Sequence, residues 1–217
     1  MTERRLKIPR RLLLANTKFV KSNLMPTTKQ AKPLQSIYQL HIELQEIQPT
    51  VWRTLWVPGN AKLSRLHRVI QSAMGWTNSH LHEFRIAGQC YGMDSFAEEF
   101  GGVAPLDESR FTIGKVLSDA VSEFEYEYDF GDGWRHHIRV QHILPATEYN
   151  NKPVCLGGEN ACPPEDVGGP GGFEEFVQVM SDPAHEDHLD LWRWHGGPFD
   201  RRGFDISAVN ARIRRFG

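Results

Sequence analysis

Residues 123–140, EFEYEYDFGDGWRHHIRV, carry the clearest structural pattern in the chain. They predict two antiparallel strands joined by a glycine-containing loop. Aromatic side chains alternate with carboxylates before the loop, and apolar side chains alternate with basic ones after it, which is the two-residue period of half-buried strands. A three-residue Gly-Asp-Gly loop would pair Phe130 with Trp134 and place Tyr128 opposite His136. A two-residue turn would set the apolar side chains opposite charged ones, which disfavours cross-strand packing. We therefore predict a hairpin with a three-residue loop.

Sequence periodicity on both sides of the hairpin predicts the other elements. Two-residue alternation predicts strands, a helical period predicts helices, and glycine or proline marks their ends. The predicted strands cover residues 38–45, 51–57 and 80–87, and the predicted helices cover residues 63–74, 173–180, 185–194 and 206–216. Residues 91–112 and 145–172 lack a clear period and are predicted to be irregular connections. The chain is therefore predicted to be α+β, with one domain over residues 36–217: a mostly antiparallel sheet of four to five strands with helices packed on it.

Charge is distributed unevenly along the chain, although the formal net charge is only −2. Nine of the 25 Lys and Arg residues, but only one of the 27 acidic residues, lie within residues 1–35, the tail. Residues 36–217, the body, therefore hold 16 basic and 26 acidic residues, a formal charge of −10, whereas the tail carries +8. Clustered Lys and Arg supply most non-specific nucleic-acid affinity. Any nucleic-acid contact is therefore predicted to be weak and to involve the tail.

The sequence leaves three interpretations of the tail open. It can be a disordered basic arm, a transit-like peptide, or an upstream extension of a protein whose translation starts at Met25. No secretory-signal pattern and no run of 18 apolar residues is present, so no membrane contact is predicted. The three cysteines, Cys90, Cys155 and Cys162, are an odd and sparse set, which argues against a disulfide framework and for a cytoplasmic location.

Four histidines are predicted to point toward the apolar side of their elements. His67 lies within the apolar arc of the predicted helix, His80 and His82 share one strand face, and His136 lies on the apolar face of the hairpin. An unpaired polar group in the interior costs about 1–3 kcal/mol, so each ring needs a partner. For a single histidine the favoured interpretation is a core residue bonded to a backbone carbonyl or a Tyr hydroxyl. The four together are instead a candidate ligand set for a divalent transition metal such as zinc, iron or nickel.

Three further motifs are weaker candidates for chemistry. Cys155 and Cys162 do not have the spacing of a structural zinc knuckle, so they are interpreted as small buried thiols. Glu165-Asp166 can supply ligands or a general base, or can cap the helix that follows, and Asp132 is a further acid/base candidate. The glycine-rich run 168–172 lacks the Lys-Ser/Thr of a P-loop and does not follow a strand. No phosphate-nucleotide site is therefore predicted.

Several motifs in the body resemble one known family. They are Pro49–Arg53 (PTVWR), Leu66–Gln71 (LHRVIQ), Met74–Trp76 (MGW), His80–Phe84 (HLHEF), Tyr126–Asp132 (YEYDFGD) with Trp134 and His136, and Gly158–Asp166 (GENACPPED) with Gly168-Gly169. In this order, over about residues 36–210, the chain resembles the plasmid pRiA4b ORF-3-like family. The family is largely uncharacterised, and its members are often encoded on plasmids and insertion elements, so the resemblance implies a protein associated with mobile DNA. Some members carry a transposon resolvase-like label, but the body shows neither an activated Ser beside Arg residues nor, by sequence, an Arg cluster or basic face.

Two functional hypotheses remain open. The favoured one is a non-enzymatic binding or accessory module associated with mobile DNA, because no catalytic motif is complete. The alternative is a metal-dependent hydrolase or nuclease-like enzyme. Its ligands would come from His67, His80, His82 and His136, and its acid or base from Asp132, Glu165 and Asp166.

Overall fold

The computed structural model describes residues 36–93, 104–117, 120–147 and 151–217, and all of them fall within one unit of the chain, Ala31–Gly217. The tail interpretations lie outside these residues. The described residues form a single sheet with helices against it, which confirms the α+β prediction. The sheet has eight strands, however, so the predicted four to five was too few.

The strands and helices are numbered along the chain. The strands are β1 (Ser36–Leu44), β2 (Trp52–Pro58), β3 (His82–Ile86), β4 (Gln89–Gly92), β5 (Leu106–Asp107), β6 (Glu123–Tyr128), β7 (Trp134–Pro145) and β8 (Val154–Glu159). The helices are α1 (Leu63–Met74), α2 (Ile113–Val116), α3 (Gly169–Ser181), α4 (His188–His195) and α5 (Ile206–Phe216), and a 3₁₀ turn covers Glu108–Arg110. The order of strands in the sheet is β5-β4-β3-β6-β7-β1-β2-β8, and only the β4–β5 pair is parallel. No described helix is long and apolar enough to cross a bilayer.

The additional strands are short or contain glycine, which hides their period in the sequence. β4 is a four-residue strand, β5 has two residues, and β8 reads VCLGGE. In β8 a Cβ added at Gly158 would lie 2.7 Å from both Arg53 Cδ and a ring carbon of Phe204. Tertiary packing therefore requires glycine in a strand at a position where local propensity disfavours it.

The hairpin forms, but with a register two residues away from the predicted one. Tyr128 pairs with Trp134 and Tyr126 pairs with His136, so the loop has five residues rather than three. The wider loop is closed by Asp129, whose carbonyl accepts from the Gly133 N–H at 2.6 Å and whose Oδ1 accepts from the Gly131 N–H at 3.0 Å. Because the shift is an even number of residues, every side chain stays on its predicted face.

Two helices cover one face of the sheet beside the hairpin. α1 buries an apolar stripe and ends at Gly75, whose φ of 101° is the left-handed conformation that glycine favours at a helix end. α5 begins at Asp205, whose carboxylate accepts from the Ser207 N–H, and it buries Val209 and Ile213. Their packing places the segment after α1 next to the hairpin loop, where the candidate site lies.

Candidate functional site

Three connecting segments converge on the ring of His80. They are the connection between α1 and β3, the loop of the β6–β7 hairpin and the segment before α3. His80 Nε2 lies 2.9 Å from Asp166 Oδ1, 3.6 Å from Asp129 Oδ2 and 3.9 Å from Glu165 Oε2. The ligand atoms of His80, Asp129 and Asp166 all lie within 4.8 Å of one another. We call His80, Asp129, Glu165 and Asp166 the His80 cluster.

The His80 Nε2 atom is buried and has no hydrogen-bond partner among the described residues. Asp166 Oδ1 is close enough, but it lies outside the angular range in which a ring N–H could donate to it. The His80 side chain itself is 29% exposed, so it borders solvent instead of pointing fully inward as predicted. A buried ring nitrogen therefore faces three carboxylates without forming a well-directed hydrogen bond.

The two carboxylate oxygens of Asp129 have different roles, since one closes the hairpin loop and the other faces His80. Oδ1 accepts from the Gly131 and Asp132 N–H groups at 3.0 and 3.3 Å and so closes the hairpin loop. Oδ2 is directed toward His80. The sequence analysis missed Asp129 as a site residue. The available signal was its position directly after a buried strand, beside the Gly-Asp-Gly loop.

Glu165 is the most firmly held carboxylate of the cluster. Its Oε1 accepts from the Thr77 N–H at 2.6 Å and from the Thr77 hydroxyl at 3.0 Å, and the Tyr128 hydroxyl lies 3.1 Å from both oxygens. Burial, together with the nearby negative charge of Glu165, raises the pKa of Tyr128. The phenol is therefore neutral at physiological pH and donates to the carboxylate.

Asp129 and Asp166 both adopt the left-handed backbone conformation, with φ values of 56° and 58°. Asp is one of the few residues besides glycine that enter this region readily. Each turn redirects the chain so that a carboxylate from a different segment faces His80. Positive φ at two residues of one cluster is typical of functional sites.

The third acid/base candidate, Asp132, belongs to a neighbouring junction. Its Oδ2 accepts from the Gly168 N–H at 3.2 Å, and a Cβ added at Gly169 would lie 2.5 Å from the Asp132 carbonyl oxygen. A Cβ at Gly172 would lie 2.1 Å from the Val167 carbonyl oxygen. The glycine-rich run thus allows the start of α3 to pack directly against the hairpin loop, and this contact holds Asp166 near His80.

His67 and His82 lie away from the His80 cluster and have other partners. Their rings stack, with centroids 3.5 Å apart and planes within 3° of parallel. His67 bonds the Tyr126 hydroxyl at 2.7 Å and also the Asn78 side chain. His82 Nε2 lies 2.9 Å from a buried Glu108 oxygen. Burial, the main cause, and the neighbouring His82 lower the pKa of His67 to about 3, so this ring is neutral at physiological pH.

His136 is fully buried in β7 and also lies apart from the cluster. Its Nδ1 faces the carbonyl oxygens of Tyr126 and Trp134 at 3.2 and 3.1 Å, so Nδ1 carries the hydrogen. Burial lowers the pKa of His136 to about 4, and the two carbonyls oppose this shift only in part. Of the four predicted metal ligands, His80 faces three carboxylates and His82 faces one, Glu108, whereas the hydrogen bonds of His67 and His136 are with other groups.

The two cysteines of the predicted loop lie near Arg53 and are not among the residues that face His80. Arg53 is buried and donates to four backbone carbonyl oxygens at 2.7 to 3.1 Å. Burial raises the pKa of Cys155 and raises that of Cys162 to about 12. Both thiols are protonated at physiological pH, and all three cysteines of the chain are free.

A cavity adjoins the cluster at Asp166. It has a volume of about 370 Å³ and lies between α3 and α4. Its walls combine apolar side chains such as Phe176 and Trp194 with further carboxylates such as Glu175. The cavity gives a small molecule access to one edge of the His80 cluster.

Comparison with known proteins identifies the family of the chain. Residues 36–208 match the family of plasmid pRiA4b ORF-3-like proteins, and the chain belongs to this family, as its motifs indicated. It is 41% identical over 180 residues to the uncharacterized protein y4hQ of Sinorhizobium fredii, covering 82% of this chain and 91% of that protein. It also resembles the crystal structure of MM3350, a protein of unknown function from Methanosarcina mazei Go1, with a TM-score of 0.72 and 34% identity. That likeness covers 80% of this chain and 96% of MM3350.

Proposed function

We propose that this chain binds a divalent transition-metal ion through His80, Asp129 and Asp166 and uses it to hydrolyse a small substrate. The observation that carries the proposal is the buried His80 Nε2 atom, which faces three carboxylates and has no hydrogen-bond partner among the described residues. Imidazole nitrogen with carboxylate oxygens is a ligand set suited to Zn²⁺ or Mn²⁺.

The spacing of the ligand atoms supports a metal. Two ligands that each lie about 2.1 Å from one ion are separated from each other by about 3–4 Å. His80 Nε2 lies 2.9 Å from Asp166 Oδ1 and 3.6 Å from Asp129 Oδ2, and the three ligand atoms all lie within 4.8 Å of one another. Ion binding would therefore need only small side-chain movements.

The arrangement also supports hydrolysis. Three protein ligands would leave coordination positions for water, and a bound Zn²⁺ would supply activation of that water by lowering its pKa. Glu165 is held by Thr77 and Tyr128, and its Oε2 faces the same point, where it can accept the proton of that water. The cavity beside Asp166 supplies room for a substrate.

Calorimetric titration of chelator-treated protein with Zn²⁺ and Mn²⁺ tests the metal site. We expect one saturable site per chain, at least tenfold weaker in His80→Ala and in Asp129→Asn. Asp129→Asn retains the Oδ1 acceptor that closes the hairpin loop, so the loop is preserved. The matched control is His137→Ala, because the His137 side chain is 30% exposed and lies 3.2 Å from a Glu123 carboxylate oxygen. Equal affinity in wild-type protein and His80→Ala would refute the site.

Hydrolysis is tested separately with p-nitrophenyl esters of acetate and phosphate. We expect turnover that requires the added metal, is lost in His80→Ala and persists in His137→Ala. Glu165→Gln should keep the metal but lose most of the turnover, because the amide cannot accept the proton. If the protein binds the metal but shows no metal-dependent turnover of either ester, the metal-binding proposal stands and the hydrolase proposal is refuted.

An accessory role beside mobile DNA is the second candidate function. It is supported by the +8 charge of residues 1–35 and by the word plasmid in the family description. The proposed location for either function is the cytoplasm, in keeping with three free cysteines. DNA contact through residues 1–35 is tested by truncation, as described in the Discussion.

A further inference from the structure

A second cavity, of about 590 Å³, is lined by residues of α1, of α5 and of the segment that follows α1. Its polar lining residues include Arg68, Arg212 and Arg215 together with Gln71, Thr77 and Asn78. Neither Asp nor Glu is among the described residues that line it. From the sequence alone no Arg cluster was expected in the body, because Arg68 and Arg212 are 144 residues apart, but the fold brings both to one cavity. We call this cavity the arginine pocket.

Two of the arginines are arranged to bind a ligand. Arg212 Nε donates to the Ser72 carbonyl oxygen at 2.9 Å, which fixes the guanidinium beside the end of α1. The guanidinium packs beside Gly75, where an added Cβ would lie in ordinary contact with Arg212 Nη2 at 3.6 Å. Arg68 is exposed and forms no hydrogen bond or ion pair with any described residue. Donor groups are thus available at the pocket wall.

The charge of the pocket opposes that of its surroundings. The body carries −10, yet the guanidinium groups of Arg68 and Arg212 share one cavity whose described lining residues include no carboxylate. Guanidinium groups bind phosphate oxygens through paired N–H donors, and several together favour a ligand with more than one negative charge. The volume lies within the usual range of small-molecule sites, about 300–1,000 Å³.

We propose that the arginine pocket binds a small phosphorylated molecule, a phosphate monoester or a pyrophosphate. A small molecule is favoured over a nucleic-acid backbone because the site is a single cavity on an otherwise acidic body. Thr77 lines the pocket and also donates to Glu165, so the bound molecule lies next to the His80 cluster. The proposal does not depend on metal binding at that cluster.

Calorimetry with inorganic phosphate, pyrophosphate and AMP, in the presence of a chelator, tests the proposal. We expect saturable binding of at least one of them, at least tenfold weaker in the double variant Arg68→Gln/Arg212→Gln. The matched control is Arg65→Gln/Arg214→Gln, which removes two exposed arginines from the same helices outside the pocket. This control should bind as wild type does.

Binding measurements on single variants separate the possible outcomes. Binding should persist in His80→Ala, which separates the arginine pocket from the metal proposal. If the double variant does not fold, the exposed Arg68→Gln change alone should still weaken binding severalfold. No saturable binding up to about 10 mM, or equal weakening in the control, overturns the proposal. Binding of duplex DNA through Arg68 and Arg212 without binding of the three small probes also overturns it.

Discussion

At the level of single residues, two buried histidines are neutral within the core. His67 and His136 have pKa values of about 3 and about 4, mainly because burial disfavours the charged ring. In the unfolded chain both rings would titrate near 6.5. The unfolded state therefore binds more protons than the native state between these values. Stability from the neutral rings is fully present above pH 6.5 and is lost as the pH falls toward 4.

As the pH is lowered from 6 to 4.5, we expect each of these histidines to decrease the free energy of unfolding by about 1.4 kcal/mol per pH unit. Urea unfolding at several pH values measures this slope. The variant His136→Gln should reduce the slope by roughly one such contribution, because one titrating ring is gone. Replacement of the neighbouring half-exposed His137 by Gln is the control. An unchanged slope in His136→Gln would contradict the burial argument.

Arg53 provides a second prediction for a single residue. Its guanidinium donates to the carbonyl oxygens of Ala73, Trp52, Glu159 and Asn160, and it lies 4.6 Å from the centre of the Phe204 ring. Arg53→Ala leaves several buried acceptors unpaired, so we expect it to lower the free energy of unfolding by about 3 kcal/mol or more. Chemical denaturation measures the change.

The control for Arg53 is Arg139→Ala, on a solvent-exposed face of the sheet. Arg139 pairs with Glu43, and its side chain is 47% exposed. Surface pairs of this kind contribute about 1 kcal/mol or less. A loss in Arg53→Ala no larger than in Arg139→Ala would show that the carbonyl contacts contribute little.

At the scale of elements, the contact between the hairpin loop and α3 determines the site. Gly169 has a φ of 69°, and an added Cβ would meet the Asp132 carbonyl oxygen. Gly169→Ala should therefore lower the free energy of unfolding by at least about 2 kcal/mol. It should also weaken metal binding, because Asp166 lies only three residues before the disturbed contact. Thermal melting and the metal titration measure the two effects.

Gly171→Ala is the matched control two residues along the same helix. No heavy atom lies within 4 Å of a Cβ added there. Alanine has the higher helix propensity, so this variant should be neutral or more stable by up to about 1 kcal/mol. If Gly169→Ala behaves like Gly171→Ala, the close approach of loop and helix is not required.

Periodicity predicted the longer elements and the hairpin because those depend on local alternation. It could not predict β8, since Gly157 and Gly158 break the alternation, and Gly158 is required by the close approach of Arg53 and Phe204, which are distant in sequence. The hairpin register was wrong because the side chain of Asp129 closes a wider loop than strand pairing alone suggests.

The candidate site was predicted only in part for a related reason. Strand and helix periods give the direction of a side chain but not its partner. His67 and His136 were predicted to be inward, and they are buried, but the Tyr126 hydroxyl and backbone carbonyls bind them. Glu165 and Asp166 were candidates from their motif, whereas their convergence with Asp129 depends on the fold of three separate loops.

At the scale of the whole molecule, the charge difference between tail and body leads to a prediction about DNA. We expect protein lacking residues 1–35 to bind duplex DNA at least tenfold more weakly than the full chain at low salt, because nine of the 25 basic residues are then absent. Fluorescence anisotropy with labelled duplex measures both affinities. Equal affinity would show that the body makes the contact.

The central claim is that three loops build one metal site around His80. Anomalous diffraction from crystals grown with Zn²⁺ tests it most directly, because the method locates the ion. We expect a peak about 2.0–2.2 Å from His80 Nε2 and from oxygens of Asp129 and Asp166. A map without a peak there, or with its strongest peak at Cys155 and Cys162 or between His67 and His82, would refute the metal site.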